Sequence, residues 1–346
     1  MLPAALVTLV LCAEPAAAEP PPPPGSPPRT PHELSFQARA AGRATLDEDS
    51  AGALRLRGRL AAAQLEVRYE YEKWLRAQVE VELGPVPPPS GLPWMPSMRD
   101  IYLRLGRPRL ALRAGHFKPP TSAVELESSW DMPLVRRGFV HDVMELSGVA
   151  GRRFGLQGEL KLKKPLDLGF RAGAFHLLPG AQAGTTLSLT SLAGRAELDL
   201  GPLAVGAFAQ AGLSSGGSVA ASGGADAVGE WKADGPWAAR AWADVIAGNY
   251  PGFPATLYVA GRAIAAVRAG GLEARAPYAE LFATAEGVTA DQSPGVNGAP
   301  RAGGGGGVTA GWWDLARLTF QAEGRSDGEW AVHGQAGVSL DLAFAF

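Results

Sequence analysis

Ala336-Gly337-Val338-Ser339-Leu340-Asp341-Leu342-Ala343-Phe344-Ala345-Phe346 decides the fold of this chain. Every even-numbered residue in it is apolar. Side chains alternate across a β-strand, so Ala336, Val338, Leu340, Leu342, Phe344 and Phe346 share one face while Ser339 and Asp341 look the other way. One face suits hydrocarbon and the other suits water. With two aromatics at its end, where an interfacial girdle is needed, the segment reads as a transmembrane strand, and strands span a membrane only by closing into a barrel. Phe344 and Phe346 are read as a membrane-assembly signal for a barrel-assembly machinery.

The same two-residue period recurs upstream, at Leu34, Phe36 and Ala38, at Leu65, Val67, Tyr69 and Tyr71, at Val79, Val81 and Leu83, at Ile101, Leu103 and Leu105, and at Leu110, Leu112 and Ala114. Phe154, Leu156, Leu160 and Leu162 continue it. Tight connections at Gly106-Arg107-Pro108-Arg109, Lys164-Pro165, Gly201-Pro202, Asp234-Gly235-Pro236, Gly270-Gly271 and Trp313-Asp314 take turns with longer segments at 84–97, 116–152, 178–184, 214–224, 248–255 and 286–306. That asymmetry predicts an all-β fold, a transmembrane antiparallel up-and-down barrel with short periplasmic turns and longer outer loops. Counting from a first strand near Leu34 gives about sixteen strands, an even number with both termini on the periplasmic side. The second strand, 53–71, is long, and its outward parity changes around Ala61-Ala62-Ala63, which predicts a bulge or an extension beyond the bilayer. Tryptophans such as Trp74, Trp94, Trp237, Trp312 and Trp330 fall near strand ends, as a girdle requires.

Composition agrees with a barrel and excludes helical spans. Hydrophobic residues make up 46% and charged residues 19%, mean hydropathy is zero, and after the first eleven residues no apolar run approaches the ~18 residues of a spanning helix. The formal charge of −2 is too small to name a partner. Leu2 to Leu11 are mostly apolar and Ala16-Ala17-Ala18 precede Glu19, so 1–18 is expected to be a signal peptide, although its start carries no basic residue. Bulky Leu11 before Cys12 argues against a lipid anchor. Cys12 is the single cysteine and would leave with the peptide, which excludes a disulfide scaffold, a thiolate metal site and a cysteine nucleophile. Residues 19–32 read as a Pro-rich periplasmic tether, and 33–346 as the barrel.

A barrel of about sixteen strands is too wide to fill with its own side chains, so a water-filled interior is expected. The long third loop, 116–152, is the candidate constriction, with Lys118, Arg136, Arg137 and Arg152 set against Glu125, Glu127, Asp131, Asp142 and Glu145. Opposed charges across a narrow water path set a field that tunes ion preference. If Leu54 and Leu56 face lipid, then Arg55, Arg57 and Arg59 face inward, and the same parity turns Arg104, Arg109, Arg113 and Arg171 to the lumen. Guanidinium groups favour anions. Glu66, Glu70, Glu80, Glu82, Glu159, Glu197 and Asp199 share the inward parity, so part of this ladder is expected to be paired.

Around this loop the sequence resembles the phosphate-selective porin O and P family of Gram-negative outer membranes. Leu54-Arg55-Leu56-Arg57-Gly58-Arg59-Leu60 is similar to its basic second strand, and Gly115-His116-Phe117-Lys118-Pro119-Pro120 to its Gly-x-Phe-Lys-x-Pro signature. Glu125, Ser128-Ser129, Met132-Pro133-Leu134, Arg136 and Gly151-Arg152 follow at the family's spacing. The likeness is closest over 53–160. It implies a homotrimer of barrels, each with a central anion channel narrowed by an inward-folded third loop. The chain departs from the pattern at Thr121, where the family carries an aromatic, at Val135 in place of a glutamate, and at Arg153 in place of an acidic residue. Lysines are few, namely Lys73, Lys118, Lys161, Lys163, Lys164 and Lys232, so phosphate selectivity does not carry over.

The expected function is passive diffusion of small hydrophilic solutes across an outer membrane, with a weak anion preference that Arg57→Glu would reduce. The alternative is an occluded barrel with a structural or surface-attachment role. No enzyme is expected, no cofactor and no nucleic-acid partner. Gly303 to Gly307 lacks the Lys-Ser/Thr of a phosphate-binding loop and reads as a flexible outer loop. His32, His116, His141, His176 and His333 have no metal-ligand spacing, and His141-Asp142 near Ser147 lacks a nucleophile elbow.

Overall fold

Each dyad-patterned strand needs a hydrogen-bonded neighbour on both edges before it can sit in hydrocarbon, and closure supplies the last pair. A computed structural model describes residues 32–48, 53–85, 94–163, 166–177, 189–233, 235–251, 253–270, 276–292, 298–312, 315–326 and 329–345. In it β1 (His32–Glu48), β2 (Leu54–Tyr71), β3 (Leu75–Pro85), β4 (Trp94–Arg107), β5 (Leu110–Phe117), β6 (Arg153–Leu162), β7 (Asp167–Leu177) and β8 (Leu189–Asp199) run up and down in order. They continue as β9 (Leu203–Ser214), β10 (Val219–Lys232), β11 (Trp237–Tyr250), β12 (Phe253–Gly270), β13 (Tyr278–Asp291), β14 (Ala299–Trp312), β15 (Ala316–Arg325) and β16 (Trp330–Ala345). All neighbours are antiparallel, and β16 returns to β1 with Leu34 opposite Phe344 and Ala38 opposite Leu340, closing a sixteen-stranded barrel.

The barrel is inside-out relative to a water-soluble protein. Leu103, Leu112, Leu156, Leu281, Phe320, Leu340 and Phe344 are exposed on its outer belt, while Arg195, Asp226, Asp244, Arg262 and Glu280 are buried within. Trp74, Trp237 and Trp312 mark strand ends at the short-turn rim and are exposed, and Trp330 opens β16 at the other rim. With apolar belt, aromatic rims and no free sheet edge, this is a transmembrane barrel of the outer-membrane type.

The predicted kink in β2 is present. Ala41 pairs with Ala62 but Gly42 pairs with Leu60, so Ala61 is the extra residue of a bulge. Two expectations are corrected. Segments 214–224, 248–255 and 286–306 are mostly strand, because β10, β11, β12, β13 and β14 extend into them. The glycine run Gly303 to Gly307 is no loop; it forms the middle of β14, paired on both sides. Its glycines make room for rings inside the barrel. A Cβ on Gly303 would come within 3.0 Å of Phe139, and one on Gly307 within 2.6 Å of Phe282.

Candidate functional site

Loop 3 leaves β5 at Lys118 and folds into the lumen, carrying α1 (Ala123–Leu126) and α2 (Phe139–Leu146). Its apolar side chains need cover, and the inner wall gives it in two clusters. Val124, Met132 and Leu134 join Trp242, Ile264 and Phe282, while Phe139, Val140, Val143 and Met144 join Phe208, Ile246, Tyr250 and Tyr258. The loop therefore lies against the β8–β15 side.

Helix ends and turns leave backbone groups without partners, and wall side chains satisfy them. Ser122 caps α1 by accepting from the Val124 N–H at 3.1 Å, and its hydroxyl donates to Asp244 at 2.5 Å. Asp226 accepts from the Ala123 N–H at 3.1 Å. Glu286 accepts from the Val140 N–H at 3.1 Å at the positive end of the α2 dipole, where a carboxylate is favoured. Gln321 accepts from the N–H groups of Val135 and Arg136 at 2.8 and 3.2 Å, and Thr309 donates to the Pro133 carbonyl at 3.0 Å. Arg317 donates to the carbonyls of Trp130 and Met132, Arg240 to that of Asp131, Arg195 to that of Thr121 and Arg43 to that of Val135. The loop crosses the lumen at Trp130, whose indole N–H donates to Gln64 on β2 at 3.0 Å and whose ring lies 5.4 Å from the Arg39 guanidinium.

The deepest part of this anchorage is ionic. Arg262 on β12 binds Asp244 through Nε at 3.0 Å and Nη2 at 2.8 Å, and Nη2 also meets Glu125 of α1. Glu125 further accepts from His141 at 2.7 Å. Arg195 binds Asp226 and Glu197 in the same fashion. Burial raises the Glu125 pKa, but His141, Arg262 and Arg137 outweigh it and hold the carboxyl well below the usual range. Burial in turn lowers His141, and Glu125 with Glu145 more than reverses this, so its pKa rises. Nδ1 of His141 faces Glu125 and Nε2 lies 3.5 Å from Glu145, while Ser147 donates to the Met144 carbonyl at 3.2 Å. The would-be triad does not assemble.

A cavity of about 690 Å³ lies between loop 3 and the β1–β7 wall. From the wall, Arg39, Arg43, Arg68, Arg99, Arg113 and Arg171 line it against Glu66, Glu80 and Asp100; from the loop, Lys118, Arg136, Arg137 and Arg152 against Glu125, Asp131, Asp142 and Glu145. The wall is thus basic and the loop balanced. Several of these charges are paired, as expected: Arg68 with Glu66 at 2.7 Å, Arg152 with Asp100 at 2.7 Å, and both Arg104 and Arg113 with Glu159 at 2.9 and 3.0 Å. Because Glu159 serves two guanidinium groups, one positive charge is left over there. Lys118 is half-buried and donates to the carbonyls of Glu125 and Glu127 at 2.5 and 3.2 Å. Burial first, then Arg137 and Arg152, lower its pKa to about 7.

Of the residues singled out from sequence, Arg113, Lys118, Glu125, Arg136, Arg137 and Arg152 meet around this cavity. Arg104 pairs with Glu159 but does not line it. Arg55 and Arg57 sit toward the far end of β2, where Arg57 is 62% exposed and lies 3.5 Å from Asp47, outside the cavity. The side chain of Arg59 and the whole of Phe346 fall outside the described residues; Phe344 faces outward beside Phe36. Sequence reasoning missed Arg39, Arg43, Arg68 and Arg99. Arg39 and Arg43 follow the same inward parity on β1, and Arg68 stands between inward Glu66 and Glu70, so all three were legible; Arg99 lies beyond the break in the β3–β4 register, which shifts parity.

No protein-family model and no curated protein sequence matches this chain. Solved structures do. The anion-selective porin from Comamonas acidovorans superposes with a TM-score of 0.58 at 12% identity, covering 90% of this chain and 100% of that one. The outer membrane channel DcaP of Acinetobacter baumannii gives 0.56 at 12% identity over 89% and 97%. A loop L8 deletion mutant of OmpT, an outer membrane protein of Vibrio cholerae, gives 0.56 at 14% identity over 90% and 100%. What this chain shares with these outer-membrane proteins is the barrel fold.

Proposed function

We propose that the barrel is an outer-membrane porin through which small hydrophilic solutes diffuse passively, with a weak preference for anions. The observation that carries this reading is the open 690 Å³ cavity, lined by ten basic and seven acidic side chains, with the excess on the β1–β7 wall. In a narrow water path walled by low-dielectric protein such an excess concentrates counter-ions. The anion selectivity of the Comamonas porin and the trimer form of the Vibrio cholerae OmpT support extending the same reading to selectivity and to a homotrimer. The test is a reversal-potential measurement on the refolded protein in a planar bilayer under a potassium chloride gradient. Chloride should permeate more readily than potassium, and Arg113→Glu should lower that preference, whereas exposed Arg57→Glu should leave it nearly unchanged. A cation-preferring parent overturns the selectivity assignment.

A second reading, an occluded barrel serving as a structural or surface-attachment protein, draws support from how firmly loop 3 is anchored across the lumen. Single-channel recording separates the two: discrete open-channel steps support the porin, and their absence supports occlusion.

A further inference from the structure

The apolar side chains by which loop 3 beds on the β8–β15 wall form two clusters, and Trp130 belongs to neither. Its backbone is held from β15 and from the loop itself: the carbonyl accepts from Arg317, and the N–H donates to Ser128 Oγ at 3.2 Å. The side chain turns away from that bed and lies across β16, β1 and β2. On β16 the ring sits over Gly337, where an added Cβ would come within 2.7 Å of Cζ3 and 2.9 Å of Cη2. Gly337 is buried and stands in register with Ala41 and Arg317, so its missing side chain is a notch in the inner wall. On β1 the Arg39 guanidinium lies 5.4 Å from the ring. On β2 the indole N–H donates to Gln64 Oε1 at 3.0 Å, and the Gln64 amide nitrogen donates to Glu82 at 2.6 Å, which turns its oxygen towards the indole. A large ring is ordinarily drawn into apolar cover. This one is only half-buried and borders the 690 Å³ cavity.

We propose that Trp130 sets the cross-section of the water path and that the notch at Gly337 keeps the path open. Docked in the notch, the ring lies flush with the wall; displaced from it, the ring moves into the cavity it borders and narrows it. This deepens the porin reading and rests on it. The ring's hold is modest, one neutral hydrogen bond and one cation–π contact on a mostly polar wall, so the steric fit at Gly337 decides where the ring rests. The loop backbone need not shift for this, since Arg317 and Ser128 hold Trp130 through its main chain.

Single-channel recording in planar bilayers, with liposome swelling by sugars of increasing size, tests this on the refolded full chain. Gly337→Val suits a strand and fills the notch; it should lower both the conductance and the largest sugar admitted. Trp130→Ala should raise both. The double variant should match Trp130→Ala, because no ring is left to displace. Gln64→Leu removes the indole's acceptor and should raise the time spent at a lower current level about fivefold, the loss of one neutral hydrogen bond. A ring that merely tethered the loop would, once disturbed, change the current in the same direction in Gly337→Val and Trp130→Ala. Equal signs, or Gly337→Val acting undiminished in the double variant, overturn the assignment. Gly337→Ala carries the same test if Gly337→Val does not refold. Wild-type steps that none of the variants shifts overturn the assignment and leave the porin reading intact. A silent wild type sets that reading aside, and Trp130→Ala must then open steps; silence in both overturns the assignment as well.

Discussion

Lys118 shows how much one loop position controls. With its pKa near 7, it loses charge as pH rises through neutrality, beside Arg137, Arg152, Glu125 and Asp100. Anion preference should therefore fall between about pH 6 and 8, and Lys118→Met should flatten that step in reversal potential. On the acid side, burial raises the carboxyls of Asp142 and Glu145 despite nearby His141, so they neutralise at higher pH than ordinary carboxyls. Preference for chloride should climb as pH drops, starting at higher pH than ordinary carboxyls would set, and Asp142→Asn with Glu145→Gln should blunt the climb. Arg262 sets the loop's hold. Arg262→Leu strands Asp244 without its cation, leaves Glu125 only His141 and Arg137, and should cost about 3–5 kcal/mol in urea unfolding in detergent. Lys118, Glu125, Arg136 and Arg137 were legible as a charged cluster because they are neighbours in sequence. Asp226, Asp244 and Arg262 were not, since each stands alone in its own strand and meets the loop only when the barrel closes.

Among the elements, β14 carries the clearest lesson. A five-glycine run says loop by local propensity, yet pairing on both edges and rings seated above it hold Gly303 to Gly307 in a strand. Gly307→Val would drive a side chain into Phe282, which supports Val124, Met132 and Leu134. It should destabilise the protein by about 1–3 kcal/mol and make single-channel current noisier as loop 3 loses its bed. The terminal strand is the opposite case: its alternation reads directly as geometry, because lipid on one side and water on the other leave only one register. Hairpin lengths were harder, since β10, β12, β13 and β14 extend past the turn-like residues at their ends.

At the scale of the whole molecule, closure was legible because every dyad segment demanded a partner, whereas the side of the barrel that loop 3 would choose was not. Replacing 119–150 by a short Gly-Ser hairpin should leave the β5–β6 ladder paired and raise single-channel conductance, since the segment that fills the lumen would be gone. The loop leans on β8–β15 while the open cavity lies along β1–β7. Most of the anchoring and the open cavity thereby fall on different arcs of one cylinder. If solutes cross through that cavity, substitutions on its arc that spare the loop's partners Arg43, Gln64 and Asp100 would retune the cargo while the apolar bed beneath the loop on the other arc stays fixed.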